Sequence, residues 1–313
     1  MFSRPGKDQV DAWMPFTDDT RKPSTSFVQQ YMKHGIRLFW TSHAFCTSDY
    51  KTIIIPVTCY GLLASSRIPR LETMIHLLTW IWLFLLQFCA ANQMYSIEED
   101  SINKPYRPIP SGLISTESAY TLRWALVPMC LYLSWNYGVL YAGISLTLAT
   151  TFYNEFGLDS YWYSKSLLNA IGIVSWNVGA AYIASEGHQD LLVRYHVAPF
   201  ISVALIWSTI HVQDFRDEAG DRMQGRITLP TFLPVASRYL TSCLLTAWSI
   251  GLGLFWQLEE TALACFVVLG IYLSIRIFWQ RTEVEDKVSL RIYMAWLTLA
   301  QALPFIAHRI QAV

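Results

Sequence analysis

Charged residues are scarce in this sequence. Lys, Arg, Asp and Glu make up 15% of the 313 residues, whereas a soluble domain has about 25%. The 23 basic and 23 acidic residues cancel, so the chain lacks the positive excess of nucleic-acid-binding proteins. Hydrophobic residues, at 53%, are too abundant for a disordered chain. We therefore expect no nucleic-acid partner and no water-soluble globular domain.

Closely spaced cysteines are also missing. The six cysteines lie far apart, which excludes a CxxC metal site and a small disulfide scaffold. They are Cys46, Cys59, Cys89, Cys130, Cys243 and Cys265. Most lie in apolar stretches, where free thiols pack as small hydrophobic groups.

Long apolar runs, by contrast, are abundant. A transmembrane helix needs about 20 mostly apolar residues, and nine candidate runs occur between residue 45 and the C-terminal end. They cover residues 45–66, 71–93, 118–136, 137–156, 165–185, 195–213, 230–256, 260–279 and 289–309. Asp49 and Lys51 interrupt the first run. The pattern predicts an all-α, polytopic membrane bundle of about nine transmembrane helices over residues 41–313, after a polar N-terminal segment at 1–40.

Basic residues fall mainly on one side of these runs. With the N-terminus and the loops after runs 2, 4, 6 and 8 on the same side, most Lys and Arg residues lie there. Loops with an excess of Lys and Arg face the cytosol in membrane proteins. We therefore expect the N-terminal segment and the long polar loops to be cytosolic, with the lipid bilayer around the bundle.

The first of two acidic segments on this side continues directly from run 2. Asn92, Ser96 and Asp100 are spaced i, i+4, i+8, and Glu99 falls between Ser96 and Asp100. At 3.6 residues per turn, a continuous helix would place these side chains on one face.

The second acidic segment leaves the end of run 6. Asp214, Asp217 and Asp221 are spaced i, i+3, i+7, which again predicts one helical face. In both segments the acidic face is followed by basic residues and then by a proline-containing stop. This shared order is a weak internal repeat, and it predicts that the two faces oppose each other across a cavity.

Acidic groups gathered at a membrane edge require a counter-charge. Mg²⁺ is suitable because it prefers oxygen ligands and is usually shared between carboxylates and substrate phosphates. Basic residues behind the acidic faces are expected to bind the remaining phosphate oxygens. These residues are Lys104, Arg107, Arg222 and Arg226. The pattern predicts a diphosphate site at the mouth of an apolar bundle, which suits an isoprenyl diphosphate.

The same two segments resemble the Asp-rich motifs of the UbiA superfamily of intramembrane prenyltransferases. Residues 99–112 resemble the tail of the first motif, and residues 214–230 resemble the second. The resemblance implies a nine-helix bundle that binds Mg²⁺ and an isoprenyl diphosphate. The implied metal ligands are Asn92, Glu99, Asp100, Asp214, Asp217 and Asp221, of which the four aspartates are also the implied catalytic residues.

The first motif departs from the usual form, Asn-Asp-x-x-Asp-x-x-x-Asp. Gln93 and Ser96 stand where carboxylates are usual, and Glu99 is available as a substitute ligand. This form resembles a fungal branch of the superfamily that includes membrane-bound sesquiterpene cyclases. The branch implies farnesyl diphosphate as the substrate and the endoplasmic reticulum as the membrane.

Three more residues can reach the same mouth from runs 4 and 5. Tyr153 and Asn154 end run 4, and Lys165 begins run 5. In the superfamily, polar residues at these positions help to bind the diphosphate. For Tyr153, interfacial anchoring is an equal alternative. The predicted substrate-binding set is Asn92, Lys104, Arg107, Tyr153, Asn154, Lys165, Arg222 and Arg226.

The resemblance favours a Mg²⁺-dependent cyclase that ionises farnesyl diphosphate and closes the resulting cation into a sesquiterpene hydrocarbon. Two alternatives stay open from the sequence. One is transfer of the isoprenyl group to a small aromatic or polyketide acceptor. The other is a non-enzymatic transporter whose acidic faces bind an ion.

Overall fold

The computed structural model describes residues 27–223 and 225–311. The chain divides into two units, Met1–His43 and Ala44–Val313, and every site residue discussed below belongs to the second. Much of the predicted polar segment at 1–40 lies outside the described residues, and its boundary stays a prediction.

Helices dominate the described residues, which contain no β-strand and only an isolated backbone bridge between Tyr161 and Ile227. The all-α prediction is confirmed. The helices are α1 (Phe27–Cys46), α2 (Ile55–Ala64), α3 (Leu71–Tyr95), α4 (Ile97–Asn103), α5 (Thr116–Asn136), α6 (Leu140–Asn154), α7 (Trp162–Ala184), α8 (Asp190–Arg194), α9 (Ala198–Thr209), α10 (Glu218–Met223), α11 (Leu229–Phe232), α12 (Ala236–Phe255), α13 (Glu260–Trp279) and α14 (Glu283–Gln311). A π-helical turn, Tyr50–Ile54, leads into α2, and 3₁₀ turns cover Leu158–Ser160 and Ile210–Asp214.

Each of the nine predicted runs overlaps one of these helices. Four helices in the described part of the chain, α3, α7, α13 and α14, are both long and apolar enough to cross a membrane. The apolar helix at Tyr50–Ala64 is shorter. The count of nine spans therefore stays a prediction, while the helical, membrane-embedded character of the chain is confirmed.

Small residues allow the helices of each half to approach closely. Trp80 of α3 donates its indole N–H to Ser134 Oγ of α5 at 2.9 Å, and a Cβ on Gly143 of α6 would collide with that serine. The second half repeats this arrangement with Trp296, Ser249 and Gly270, the indole N–H donating to the serine at 3.0 Å. Such small-residue contacts are typical of membrane helices, although the tryptophan precedes the serine and glycine in the first half and follows them in the second.

Candidate active site

A cavity of about 250 Å³ lies between α3, α6, α7 and α14. The two acidic segments line one end, and apolar side chains line the rest. Most of the predicted site residues reach it: Asn92, Glu99, Asp100, Lys104, Arg107, Tyr153, Lys165, Asp214, Asp217, Asp221 and Arg226. The fold thus brings the two segments together around one space.

Two predicted site residues do not line the cavity. Arg222 is exposed and pairs with Glu218, one turn earlier on α10, at 2.8 Å. Asn154 is buried at the end of α6, where its Oδ1 accepts a hydrogen bond from Asn92 Nδ2 at 3.4 Å. The geometry therefore separates Arg222 from the site and makes Asn154 a neighbour of Asn92.

The first acidic segment is not the single continuous helix that its spacing predicts. α3 ends at Tyr95, and Ser96, with φ −118° and ψ 22°, separates it from α4. The residues still share one side because Ser96 Oγ lies 3.0 Å from both the Asn92 carbonyl oxygen and Asp100 Oδ2. The serine that replaces a carboxylate thus connects the two helices.

Asp100 and Arg107 form a buried ion pair at this segment. Arg107 Nη1 donates to Asp100 Oδ1 at 2.8 Å and to Oδ2 at 2.6 Å. Arg107 Nε is buried and has no hydrogen-bond partner among the described residues. The guanidinium can therefore hold Asp100 in place and still donate to an incoming anion.

The second acidic segment also departs from a continuous α-helix. The 3₁₀ turn Ile210–Asp214 is followed by a turn and then by α10. Asp214, Asp217 and Asp221 nevertheless all line the cavity. Lys165, in the first turn of α7, donates from Nζ to the buried Asp214 Oδ1 at 2.6 Å.

Arg226 connects the two segments. Its guanidinium lies 3.5 Å from Glu99 Oε2, 3.6 Å from Asp221 Oδ1 and 3.3 Å from Asp159 Oδ2. Asp159 is a cavity residue that the sequence analysis missed. Its place in the loop after run 4, on the same side as both motifs, was the available signal.

Asp49 is a second cavity residue that was missed. It immediately precedes the π-helical turn before α2 and lines the cavity. An acidic side chain within an otherwise apolar run is a sign of function in a membrane protein. The sequence analysis recorded Asp49 only as an interruption of the first run.

The unsatisfied oxygens of the second segment fit a hard divalent cation. Asp214 Oδ2 and Asp221 Oδ2 are buried without a hydrogen-bond partner among the described residues. Burial raises the pKa of both carboxyl groups, while the charge of Lys165 opposes the shift. A cation beside these oxygens would favour their charged forms.

No three acidic, histidine or cysteine side chains of the described residues gather into a ready-made metal site. The carboxylates are distributed around the cavity instead. This arrangement suits Mg²⁺, which keeps several waters and takes few protein ligands together with substrate phosphates.

The apolar part of the cavity carries aromatic rings. The Phe88 ring lies edge-on to Tyr153, with centroids 5.8 Å apart, and to Trp176, with centroids 6.4 Å apart. All three residues line the cavity. Ring faces stabilise a cation by about 0.5–2 kcal/mol each, so this pocket can hold an electron-deficient hydrocarbon.

Fold and site together define an integral membrane protein whose cavity joins an acidic and basic mouth to an aromatic, apolar interior. The model of the UbiA prenyltransferase family matches residues 53–299. The chain therefore belongs to this family, which confirms the resemblance.

Two relatives are similar over most of their length. The chain is 33% identical to the fumagillin beta-trans-bergamotene synthase of Aspergillus fumigatus, over 87% of this chain and 94% of that protein. It is 32% identical to the somaliensene A/B synthase of Streptomyces somaliensis, over 83% and 90% respectively.

A solved structure has the same fold. A UbiA homolog from Archaeoglobus fulgidus bound to GPP and Mg²⁺ aligns with a TM-score of 0.60 at 12% identity, over 84% of this chain and 99% of that one.

Proposed function

We propose that this protein is a Mg²⁺-dependent membrane terpene cyclase that ionises farnesyl diphosphate and cyclises it to a sesquiterpene hydrocarbon. The observation that carries the proposal is the cavity itself. One end combines basic side chains with buried, unsatisfied carboxylate oxygens, and the other end is apolar and aromatic. A diphosphate suits the first end and a hydrocarbon chain suits the second.

The chain's own basic groups bind the diphosphate and stabilise the charge that develops on it. Arg107 and Lys165 line the cavity while they pair with Asp100 and Asp214 respectively. Lys104 and Arg226 line the same cavity. Preorganised donors of this kind lower the barrier to C–O cleavage because they stabilise the leaving group. Tyr153 and Asn92 complete the proposed binding surface.

The proposed Mg²⁺ ligands are the oxygen donors that border the mouth: Asn92, Glu99, Asp100, Asp214, Asp217 and Asp221. A bound Mg²⁺ supplies Lewis-acid stabilisation of the leaving diphosphate. Support comes from the two carboxylate oxygens without partners and from the archaeal homolog whose structure contains Mg²⁺ and GPP.

Similarity to two synthases from a fungus and a bacterium favours cyclisation over transfer. Both relatives match this chain over more than four-fifths of its length. Because bergamotene is a sesquiterpene, the fungal relative also favours farnesyl diphosphate as the substrate. For a eukaryotic chain we propose the endoplasmic reticulum as the membrane, and the basic loops favour a cavity mouth that faces the cytosol.

The second candidate is transfer of the isoprenyl group to a small aromatic or polyketide acceptor. It is favoured because the family to which the chain belongs is a prenyltransferase family. Both reactions share the ionisation step. They differ in whether the cation is captured by a second molecule or by a double bond of its own chain.

The test uses membranes that contain the expressed protein, with Mg²⁺ and farnesyl diphosphate and no acceptor. Organic extracts are analysed by gas chromatography with mass detection, and released diphosphate is measured in parallel, with an EDTA-treated control. A metal-dependent sesquiterpene hydrocarbon supports the cyclase. Intact substrate or farnesol alone contradicts it and moves the test to longer diphosphates and candidate acceptors.

A further inference from the structure

Asp49 places a carboxylate in the wall of the cavity outside both acidic segments. We infer that Asp49 is the proton acceptor that ends the cyclisation. This inference rests on the proposed function and adds to it a residue for the last chemical step.

The position of Asp49 along the cavity follows from its neighbour on α3. Cys89 Sγ lies 3.7 Å from Asp49 Oδ2. Cys89 precedes Asn92 by three residues, which is about 4.5 Å along a helix axis. Asp49 is thus held about one helical turn from Asn92, towards the apolar interior.

The aromatic rings lie at the same level. Phe88 directly precedes Cys89 on α3, and it is the ring that meets both Tyr153 and Trp176. A cation stabilised by these rings is within the same section of cavity that Asp49 lines. A carboxylate here borders the hydrocarbon, and the charges of Arg107 and Lys104 also reach it from the mouth of the cavity.

The partners of Asp49 leave it available. Among the acidic side chains lining the cavity in residues 27–223 and 225–311, Asp49 is the one without a basic group at salt-bridge distance. Its hydrogen bonds are long: Thr52 Oγ1 donates to Oδ1 at 3.3 Å, and the weak Cys89 thiol donor is 3.7 Å from Oδ2.

A purely structural role for Asp49 has little support. Asp49 occupies the N-cap position of the π-helical turn Tyr50–Ile54, yet its side chain makes no capping hydrogen bond to the backbone. Single π-helical turns occur frequently at functional sites. This one directs Asp49, Thr52 and Ile53 to the cavity.

The chemical step is balanced without another reactant. Ionisation gives diphosphate and an allylic cation, and ring closure moves the positive charge to another carbon. A C–H bond next to that carbon breaks, its electron pair forms the new C=C bond, and the proton passes to Asp49 Oδ2. The neutral hydrocarbon leaves, and the proton then passes to water.

The test compares D49N with D49E and with D190N, a matched change at an exposed aspartate outside the cavity. For each variant in membranes, released diphosphate and extractable hydrocarbon are measured from the same incubation with Mg²⁺ and farnesyl diphosphate. The ratio of hydrocarbon to diphosphate is the readout, because a residue that only binds substrate or supports folding lowers both together.

We expect the ratio in D49N to fall about tenfold or more, in line with loss of a general base, with alcohols formed by water capture replacing the hydrocarbon. D49E should keep a hydrocarbon product with altered double-bond position, and D190N should match the wild type. An unchanged ratio and product in D49N overturns the inference about Asp49 but not the proposed function. So does a parallel loss of diphosphate and hydrocarbon in D49N and D49E. No diphosphate release by the wild type overturns the proposed function, and the inference with it.

Discussion

The acidic groups of the two motifs differ in how they are partnered. Both oxygens of Asp100 are bound by Arg107, and Ser96 lies against one of them. Asp214 and Asp221 each keep one buried oxygen without a partner among the described residues. The second motif therefore has more free carboxylate oxygen for a cation, whereas the first also holds a guanidinium in place for an anion.

The missing carboxylates of the first motif explain this difference. Gln93 is buried and donates from Nε2 to the Phe45 carbonyl oxygen at 3.0 Å, while its Oε1 has no hydrogen-bond partner among the described residues. Ser96 connects α3 with α4. Positions 93 and 96 thus supply an amide and a hydroxyl in place of carboxylates, and because these are weaker Mg²⁺ ligands we expect the second motif to contribute most to cation binding.

Removal of Asp214 should have the largest effect. D214N loses both the free carboxylate oxygen and the ion pair with Lys165, and we expect diphosphate release to fall about 1000-fold, the upper range for losing one preorganised electrostatic group. D190N, at an exposed site, is the matched control. A loss of less than tenfold would show that the second motif is not the main cation site.

Arg226 and Arg222 provide the next comparison, because they are four residues apart and only Arg226 lines the cavity. R226A leaves Glu99, Asp159 and Asp221 without their shared partner, and we expect about a 100-fold loss of diphosphate release. R222A breaks an exposed pair, so a change below about twofold is expected. Equal losses in the two variants would contradict the geometry.

The same pair of arginines shows what the sequence could and could not predict. The helices, the two segments and the aspartates of the second motif followed from apolar runs and spacing. The spacing did not predict which arginine faces the cavity, because the helix α10 stops at Met223. Gly225, with φ +70°, then lets the chain turn back, and the Arg226 N–H donates to the Asp221 carbonyl oxygen at 2.9 Å.

Asp49 and Asp159 were missed for a different physical reason. Each is a single acidic residue in its own stretch of sequence, so neither forms a pattern. Their place in the cavity depends on how α2, α3, α7 and the loop at Leu158–Ser160 assemble. Long-range packing of this kind leaves no local spacing to detect.

Restoring a carboxylate to the first motif should reduce the difference between the motifs. S96D places a second carboxylate beside Asp100, and we expect the Mg²⁺ concentration for half-maximal diphosphate release to fall about fivefold. S96A, which removes the hydroxyl without adding charge, is the control and should show no such decrease. The same Mg²⁺ requirement in both variants would mean that a carboxylate at position 96 adds no ligand to the cation site.

The smallest expected effect concerns the packing that the two halves share rather than the motifs that distinguish them. W80F and W296F each remove one indole hydrogen bond to a serine, and the serines keep a second contact, with the Cys130 and Leu245 carbonyl oxygens at 2.8 and 2.7 Å. Because no polar group is orphaned, we expect each variant to lose about 0.5–1.5 kcal/mol of unfolding free energy for the hydrogen bond. The space left by the smaller ring in these fully buried positions adds to that loss, while diphosphate release should stay unchanged. Thermal unfolding in detergent measures the stability of both variants, and the membrane assay measures their diphosphate release. A much larger loss in one variant would show that the two contacts are not energetically equivalent.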